Sequence, residues 1–198
     1  YFETYIQRDI RLLSQITNLH LFQKFVKLCA GRIGNIFNAS NLANEVGVSV
    51  PTINSWLSIL EASYIIFLLK PYHSNINKRL VKSPKLYFYD VGLASYLLGI
   101  NDLNQIDTHP LKGALFENLI ALEIIKLFYN RAINPDLYFY RDSNYNEVDF
   151  ICVLANKLIA IEVKSSQTYH GSFLKNLEYF SDLFKSKLKQ GLLVYAGE

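Results

Sequence analysis

The chain has 198 residues, of which 51% are hydrophobic and 14% aromatic. This composition supplies enough apolar surface for a substantial core, so it excludes wholesale disorder, and the length suits one large domain or two small ones. The net charge of +3 comes from the first part of the chain: residues 1–110 carry ten Lys and Arg against seven Asp and Glu, whereas residues 111–198 carry ten of each.

Cysteine usage and hydropathy bear on the compartment. Cys29 and Cys152 stand apart in apolar runs, which favours two buried thiols in a reducing compartment over a disulfide or a metal site. No apolar run reaches the roughly 18 residues of a membrane-spanning helix and no signal peptide opens the chain, so we expect a soluble cytoplasmic protein with no membrane partner. Because the chain begins at Tyr1 and contains no Met, we expect it to be a piece of a longer protein.

Helical patterns dominate the start of the chain. Apolar residues recur at helical spacing over residues 1–30, and Gly31 and Gly34 suit the end of a second helix. Residues 39–63 are then typical of a helix-turn-helix, with Ser40 as the predicted cap of its first helix and Ser49 as that of its second. The second helix has an inward apolar stripe and an outward polar face. The inward residues are Ile53, Trp56, Leu57 and Leu60, and the outward residues are Thr52, Asn54, Ser55 and Ser58.

That outward face suits DNA bases, because Asn and Ser can hydrogen-bond to base edges. It has no Lys or Arg, so phosphate affinity must come from elsewhere. Residues 62–89 contain five cations and no acid, and strands predicted over 64–69 and 85–89 flank this basic loop to complete a winged helix-turn-helix. The alternative is a solvated loop beside a helix-turn-helix used for protein packing. The predicted DNA contacts are Thr52, Asn54 and Ser55 to bases and Lys70, Lys78, Arg79, Lys82 and Lys85 to phosphates.

The second part of the chain has the pattern of an α/β sandwich. Asp90 is predicted to cap a short helix, and a loop over 101–110 is predicted to end a first domain of residues 1–110. In the second domain, residues 111–198, apolar residues on both faces of the strands call for helices on both sides of a sheet. The predicted elements are a helix over 112–130, strands over 137–141, 147–154 and 157–164, a helix over 172–188 and a strand over 191–196.

A hairpin over residues 140–165 is the most informative stretch, because its two strand-like runs meet at residues 155–156. If those two residues form the loop, Asp149 lies opposite Glu162 on one face of the sheet. Opposed carboxylates about 5 Å apart at Cβ repel each other. A divalent cation between them would offset the repulsion, and Mg²⁺ selects oxygen ligands. A one-residue slip of the register would put the two acids on opposite faces.

A helix carrying Glu117 precedes this hairpin, and twelve residues separate Asp149 from Glu162-Val163-Lys164. The helix with Glu117, the acid Asp149, the twelve-residue spacing and the Glu-Val-Lys motif occur together in the second domain. In this combination the domain resembles the PD-(D/E)xK nuclease superfamily, whose restriction-endonuclease-like core has the same order of elements. The sequence departs from that family at Val148, where a Pro is usual. The expected fold is thus a helical winged helix-turn-helix domain followed by a restriction-endonuclease-like α/β sandwich.

The resemblance implies a Mg²⁺-dependent or Mn²⁺-dependent phosphodiesterase that acts on DNA. Asp149, Glu162 and the Val163 carbonyl would hold the metal, and Glu117 would support it through water or a second ion. Lys164 would orient or deprotonate the attacking water.

Other interpretations remain open from the residues themselves. Glu147 is expected either to support the metal ligands without binding the metal itself or only to pair with Lys164, which it opposes in the hairpin. Such surface ion pairs are common and weakly stabilising whatever the function. The nuclease-like fold would alternatively serve as a binding or regulatory module for a partner protein or DNA, which the neutral charge of residues 111–198 favours.

Segments along nearly the whole chain carry a second resemblance. They are YIQRDI, the helix-turn-helix, KPYHSNINKRLVKSPKLYFYDVGLASYLLG, GALFENLIALEI, YRDSNYNEVDF and IEVKSS. In these the chain is similar to the C-terminal region, a domain of unknown function, of a bacterial and archaeal family of AAA-type ATPases. The similarity implies an upstream ATPase module as a partner in the same protein. Because GxxxxGK followed by Ser or Thr is absent from this sequence, we expect ATP to bind only in that module.

Overall fold

The computed structural model describes residues 16, 18–72 and 82–197, and it is a mixed structure of α-helices and β-strands, as the predicted α+β class requires. The chain divides into two compact units. The helical unit consists of Tyr1–Leu68 and Leu86–Leu111, and the sheet unit consists of Leu69–Lys85 and Lys112–Glu198. The chain therefore passes between the units at three places, whereas the sequence predicts a single passage at residues 110–111.

The helical unit contains five described helices and most of a two-stranded sheet. The helices are α1 (Leu19–Ala30), α2 (Ala39–Val46), α3 (Val50–Ala62), α4 (Val91–Leu97) and α5 (Leu103–Thr108), and the strands are β1 (Ile66–Leu69) and β2 (Lys85–Phe88). The predicted helix at the start of the chain lies outside the described residues, apart from Ile16 and Asn18.

Apolar packing holds α1 against α3. The ring of Trp56 on α3 lies 5.3 Å from that of Phe22 and 5.7 Å from that of Phe25, measured between centroids. All four residues of the predicted inward stripe of α3 are buried, which confirms that prediction. The turn between α2 and α3 ends α2 at Gly47, whose φ of 90° lies in the left-handed region that glycine adopts without strain.

Caps at the helix ends follow the sequence with one correction. Ser49 caps α3 and Asp90 caps α4, as predicted, by accepting hydrogen bonds from backbone N–H groups of the first turn. The cap of α2 is Asn38 and not Ser40, because the helix already begins at Ala39. The predicted loop over 101–110 contains α5, which is stabilised by a capping box between Asp102 and Gln105.

In its described residues, the sheet unit contains two α-helices and a four-stranded sheet. These are α6 (Lys112–Tyr129), β3 (Leu137–Arg141), β4 (Glu147–Leu154), β5 (Lys157–Lys164), a 3₁₀ turn (Gly171–Leu174), α7 (Lys175–Leu183) and β6 (Leu188–Tyr195). The strands lie in the order β3-β4-β5-β6, with β5 and β6 parallel and the other neighbours antiparallel.

The second predicted helix of this unit is shorter than expected. The sequence predicts a helix over 172–188, but α7 ends at Leu183 and β6 begins at Leu188. Phe184 is buried beside Phe180, and Leu188 pairs with Leu158 of β5. Leu188 therefore belongs to the sheet and not to the helix. Its place there depends on the parallel pairing of β6 with β5, which is distant in sequence.

The core beside α7 lies between that helix and the middle of the sheet. Its members include Leu177, Phe180 and Phe184 from the helical side and Ile151, Leu158 and Ala160 from β4 and β5. Helix α6 also contacts β5. Across the described residues, no helix combines the length and the apolarity needed to cross a membrane.

Candidate functional site

The hairpin of β4 and β5 has the predicted register. Phe150 pairs with Ile161, and the ladder continues to Leu154 and Lys157, so residues 155 and 156 form the loop. Ala155 has a φ of 53°, in the left-handed region that two-residue hairpin turns require. The same register places Asp149 and Glu162 just beyond the last of these backbone pairs.

A β-bulge at Asp149 was not predicted. Tyr138 of β3 pairs with Ile151, but Tyr140 pairs with Val148, so two residues of β4, of which Asp149 is one, face a single residue of β3. Val148 and Ile151 both belong to the core cluster, although strict alternation would put them on opposite faces. Bulges redirect side chains, and this one lies at the acid that the sequence singled out.

Asp149 and Glu162 are both buried, with 8% and 1% of their surface exposed. The Val163 N–H donates a hydrogen bond of 2.8 Å to Asp149 Oδ2. Glu162 Oε1 accepts hydrogen bonds from Lys164 Nζ at 2.6 Å and from Asn176 Nδ2 at 3.4 Å. Glu162 Oε2 is buried without a hydrogen-bond partner. Such an acceptor is costly to bury, so this oxygen marks a place where a further donor or cation is favourable.

Electrostatic coupling joins these two acids to Glu117 on α6. Burial raises the pKa of Asp149 well above its ordinary value, and the negative charges of Glu117 and Glu162 raise it further. Burial also raises the pKa of Glu162, against the lowering effect of the Lys164 ammonium. The three carboxylates therefore share one electrostatic environment, in which Lys85 and Lys164 are the positive charges that act against the rise in pKa.

The position of Lys85 differs most from what the sequence predicts. This lysine was expected to contact DNA phosphates, but it is only 2% exposed and lies among the acids of the sheet unit. Its Nζ is 3.2 Å from Glu117 Oε1 and 2.5 Å from Glu147 Oε1, and 5.4 Å from the centroid of the Phe139 ring. Although burial lowers the pKa of Lys85, the charges of the neighbouring carboxylates raise it above its ordinary value. The correction has a simple cause: Lys85 begins β2, whose four residues are all buried.

The partner of Glu147 also differs from expectation. Its carboxylate pairs with Lys85 and with Arg141, whose Nη1 is 3.3 Å from Oε2, and not with Lys164. The Lys164 ammonium instead pairs with Glu162. The ion pairs thus join Lys85 to Glu117 and Glu147 and join Lys164 to Glu162, while the charge of Lys85 also acts on Asp149.

Comparison with known proteins gives the family of the chain. Residues 1–104, more than half of the chain, match the family model described as Domain of unknown function (DUF8612). The chain belongs to the DUF8612 family. Residues 112–198 match a second model, Domain of unknown function (DUF4143), and domains of that second kind are common in proteins associated with AAA-type ATPases.

Relatives of this DUF8612 chain occur in three bacteria. An uncharacterized protein of Mycobacterium tuberculosis and another of Mycobacterium bovis are each 29% identical over 198 residues, which is 100% of this chain and 43% of either relative. An uncharacterized protein of Haemophilus influenzae is 22% identical over 195 residues, 96% of this chain and 45% of the relative. The chain therefore spans less than half the length of these relatives. No solved structure matches it with significance.

Asp142 of this DUF8612 chain is a buried acid that the sequence analysis missed. Its Oδ1 accepts hydrogen bonds from the N–H groups of Asn144 and Asn146, and its Oδ2 accepts one of 2.7 Å from the Tyr179 hydroxyl on α7. Burial opposes ionisation, but these hydrogen bonds lower the pKa of Asp142. The Asp-Ser-Asn sequence between two strands was the available signal, because Asp commonly bonds to backbone N–H groups in turns.

The other predicted DNA contacts lie in the helical unit and near the basic loop. Asn54 and Ser55 are exposed on α3, whereas Thr52 is half-buried with its hydroxyl 2.8 Å from that of Ser49. Lys70 and Lys82 are exposed. Lys78 and Arg79 lie outside the described residues.

Asp149 and Glu162 have the type of oxygen ligand that a hard cation such as Mg²⁺ binds. No group of three or more His, Cys, Asp and Glu side chains is arranged to hold a metal ion within residues 16, 18–72 and 82–197. Mg²⁺ in proteins commonly takes only one or two carboxylates and keeps several waters. Asp149 and Glu162 provide two carboxylates, and the unpartnered Glu162 Oε2 is an oxygen donor of the right kind.

The thiols of Cys29 and Cys152 are both free and buried, as the sequence predicts.

Proposed function

We propose that the sheet unit is a divalent-metal-dependent hydrolase of DNA phosphodiester bonds. One observation carries the proposal: Glu162 Oε2 is buried without a partner, beside the Lys164 ammonium and in the field of Asp149. A fold that needed only stability would pair this oxygen or replace the acid, because burying an unsatisfied carboxylate oxygen is unfavourable. The arrangement is more readily explained by a ligand of opposite charge.

Each residue has a defined role in this proposal. Asp149 and Glu162, with the Val163 carbonyl, would hold Mg²⁺ or Mn²⁺, which would supply Lewis-acid activation of a phosphoryl oxygen and lower the pKa of a bound water. Lys164 has about a third of its side chain exposed, at 34%, while it is bonded to Glu162. Its ammonium can therefore reach a substrate oxygen from a fixed position and stabilise the negative charge that develops on it.

The test is cleavage of plasmid DNA by the 198-residue chain in Mg²⁺ or Mn²⁺. We expect Asp149→Asn and Lys164→Met to lower the rate of nicking by about 100-fold or more, the usual effect of removing one electrostatic stabiliser. Glu178→Gln is the matched control, because Glu178 is an exposed acid on α7. Nicking at the wild-type rate in both site variants would contradict the proposal.

A second candidate function is a non-cutting module that recognises DNA or a partner protein. The Lys85 ammonium favours it, because it already neutralises part of the acidic group through Glu117 and Glu147. The equal numbers of acidic and basic residues in 111–198 favour it too, since a neutral surface binds a polyanion weakly. Calorimetry with Mn²⁺ separates the two candidates, because no heat of binding at millimolar Mn²⁺ would leave only this second function.

DNA binding by residues outside the acidic site is a separate part of the proposal. The exposed Asn54 and Ser55 on α3 support it, together with the exposed Lys70 and Lys82. We expect a fragment of duplex DNA to bind with an affinity that falls steeply as salt is raised, because phosphate contacts release counterions. Reversing the charges of residues 70, 78, 79 and 82 together should abolish a gel shift. An unchanged gel shift would exclude this surface.

The proposed partner within the same protein is an AAA-type ATPase module. The match of residues 112–198 to a domain common in ATPase-associated proteins supports this, as does the coverage of only 43% of two relatives. We expect ATP hydrolysis by the longer protein that contains this chain and none by the 198-residue chain, measured as release of phosphate. Hydrolysis by the 198-residue chain would overturn this assignment.

A further inference from the structure

Lys85 forms ion pairs with Glu117 and Glu147, whereas Glu162 Oε2 is buried without a hydrogen-bond partner. We infer that the Lys85 ammonium takes the place of a second metal ion, so that the site holds one divalent cation, at Asp149 and Glu162. This inference rests on the proposed metal-dependent function and defines its metal stoichiometry.

The contacts of Lys85 already satisfy the acids that a second ion would need. Its Nζ lies 3.2 Å from Glu117 Oε1 and 2.5 Å from Glu147 Oε1. The other oxygen of Glu147 is 3.3 Å from Arg141 Nη1. Both carboxylates therefore have cationic partners at ion-pair distance, and a second divalent ion would have to displace an ammonium to bind them.

Displacement of that ammonium is unfavourable because Lys85 is held on several sides. Its side chain is 2% exposed, its backbone is part of β2, and its Nζ lies 5.4 Å from the centroid of the Phe139 ring. An ammonium that leaves this place without reaching water would be a buried, unpaired charge. Lys85 is thus a fixed positive charge, unlike an exposed lysine that can turn away from an incoming ion.

Asp149 and Glu162 have a different environment. Asp149 accepts a hydrogen bond from the neutral Val163 N–H, and Glu162 uses only Oε1 for Lys164 and Asn176. Glu162 Oε2 is buried and lacks a hydrogen-bond partner. Asp149 and Glu162 can therefore still bind a cation. Glu117 and Glu147 are already paired with the Lys85 ammonium.

The experiment counts Mn²⁺ ions bound to the 198-residue chain, by calorimetry and by the electron paramagnetic resonance of free Mn²⁺. We expect one ion in the wild type and in Lys85→Arg, which keeps the positive charge. We expect two ions in Lys85→Met, which keeps the apolar stem but removes the ammonium from Glu117 and Glu147. The double variant Lys85→Met with Glu117→Gln should return to one ion, because it removes an acid that the second ion needs. Lys70→Met is the matched surface control, since Lys70 is exposed.

The outcomes separate this inference from the proposed function. Two ions in the wild type, or a single ion in a folded Lys85→Met variant, would overturn the inference and leave the proposed metal site intact. No ion in the wild type would overturn the proposed metal site itself. Circular dichroism checks the folding of each variant. If Lys85→Met does not fold, crystals of the wild type soaked in Mn²⁺ decide the matter: one anomalous peak near Glu162 supports the inference, and a second peak near Glu117 overturns it.

Discussion

The helical unit and the sheet unit bury different kinds of side chain. Among the described residues, every buried polar or charged side chain belongs to the sheet unit, and the buried side chains of the helical unit are apolar. The buried polar and charged residues are Lys85, Asn118, Asp142, Asp149 and Glu162. Burying a charge is unfavourable unless it is paired, so stability alone does not explain the contrast. We therefore expect a catalytic or ligand-binding site in the sheet unit, where the buried charged side chains lie.

The two units also use their acids and amides differently. In the helical unit, Asn38, Ser49 and Asp90 cap helices at or near the surface, where each satisfies one backbone N–H group. In the sheet unit, Asp149 and Glu162 are buried against each other and against Glu117 in a way that raises the pKa of both. Caps stabilise a fold locally, whereas mutually repelling acids require an outside charge.

The largest expected effect on stability comes from removing the buried cation. Lys85→Ala should lower the free energy of unfolding by about 3 kcal/mol, because it removes a buried cation and leaves the half-buried Glu117 and Glu147 without this partner. Arg32→Ala in the helical unit is the matched control, since its ion pair with Glu45 is more exposed and should contribute about 1 kcal/mol or less. Urea denaturation measures both. Equal losses in the two variants would remove the contrast between the units.

A smaller effect, with a pH dependence, is expected at Asp142. Asp142→Asn should cost about 1.5–3 kcal/mol at pH 7, since several hydrogen bonds to a charged acceptor are weakened. Because the pKa of Asp142 is lowered in the folded state, its contribution is present at neutral pH and is lost as the pH falls below the ordinary Asp value of about 4. The urea midpoints of wild type and variant should therefore stay apart from pH 7 to about pH 4 and converge as the pH falls further. Asp182→Asn, at an exposed position, should show no such convergence.

The smallest effect tests the correction at the start of α2. Asn38→Ala should destabilise the helical unit by about 1 kcal/mol, because the Asn38 side chain accepts a hydrogen bond from the Asn41 N–H. Ser40→Ala should have almost no effect, since Ser40 is exposed within the helix. Thermal melting followed by circular dichroism compares the two. A larger loss in Ser40→Ala would restore the cap that the sequence predicted.

Local patterns were enough for most of the elements and for part of the site. The strands Leu137–Arg141, Glu147–Leu154 and Lys157–Lys164 have the predicted bounds, since alternation and turn residues are encoded within a few positions. The two-residue loop also determined the register of the hairpin, because each strand continues directly from it. By contrast, the bulge at Asp149 and the place of Leu188 in β6 depend on pairing with other strands.

By itself, then, the sequence determined that Asp149 and Glu162 would come together at the end of one hairpin, because both lie at fixed distances from one turn. Only the tertiary structure decided that Lys85, 32 residues before Glu117, would be buried with it and with Glu147. In the sequence Lys85 is one of five cations in an acid-free stretch, and although an apolar run follows it, nothing there indicates which acids it would pair with. The physical reason is that an ion pair between distant segments depends on how Lys85, β4 and α6 pack within the sheet unit, which no local pattern records.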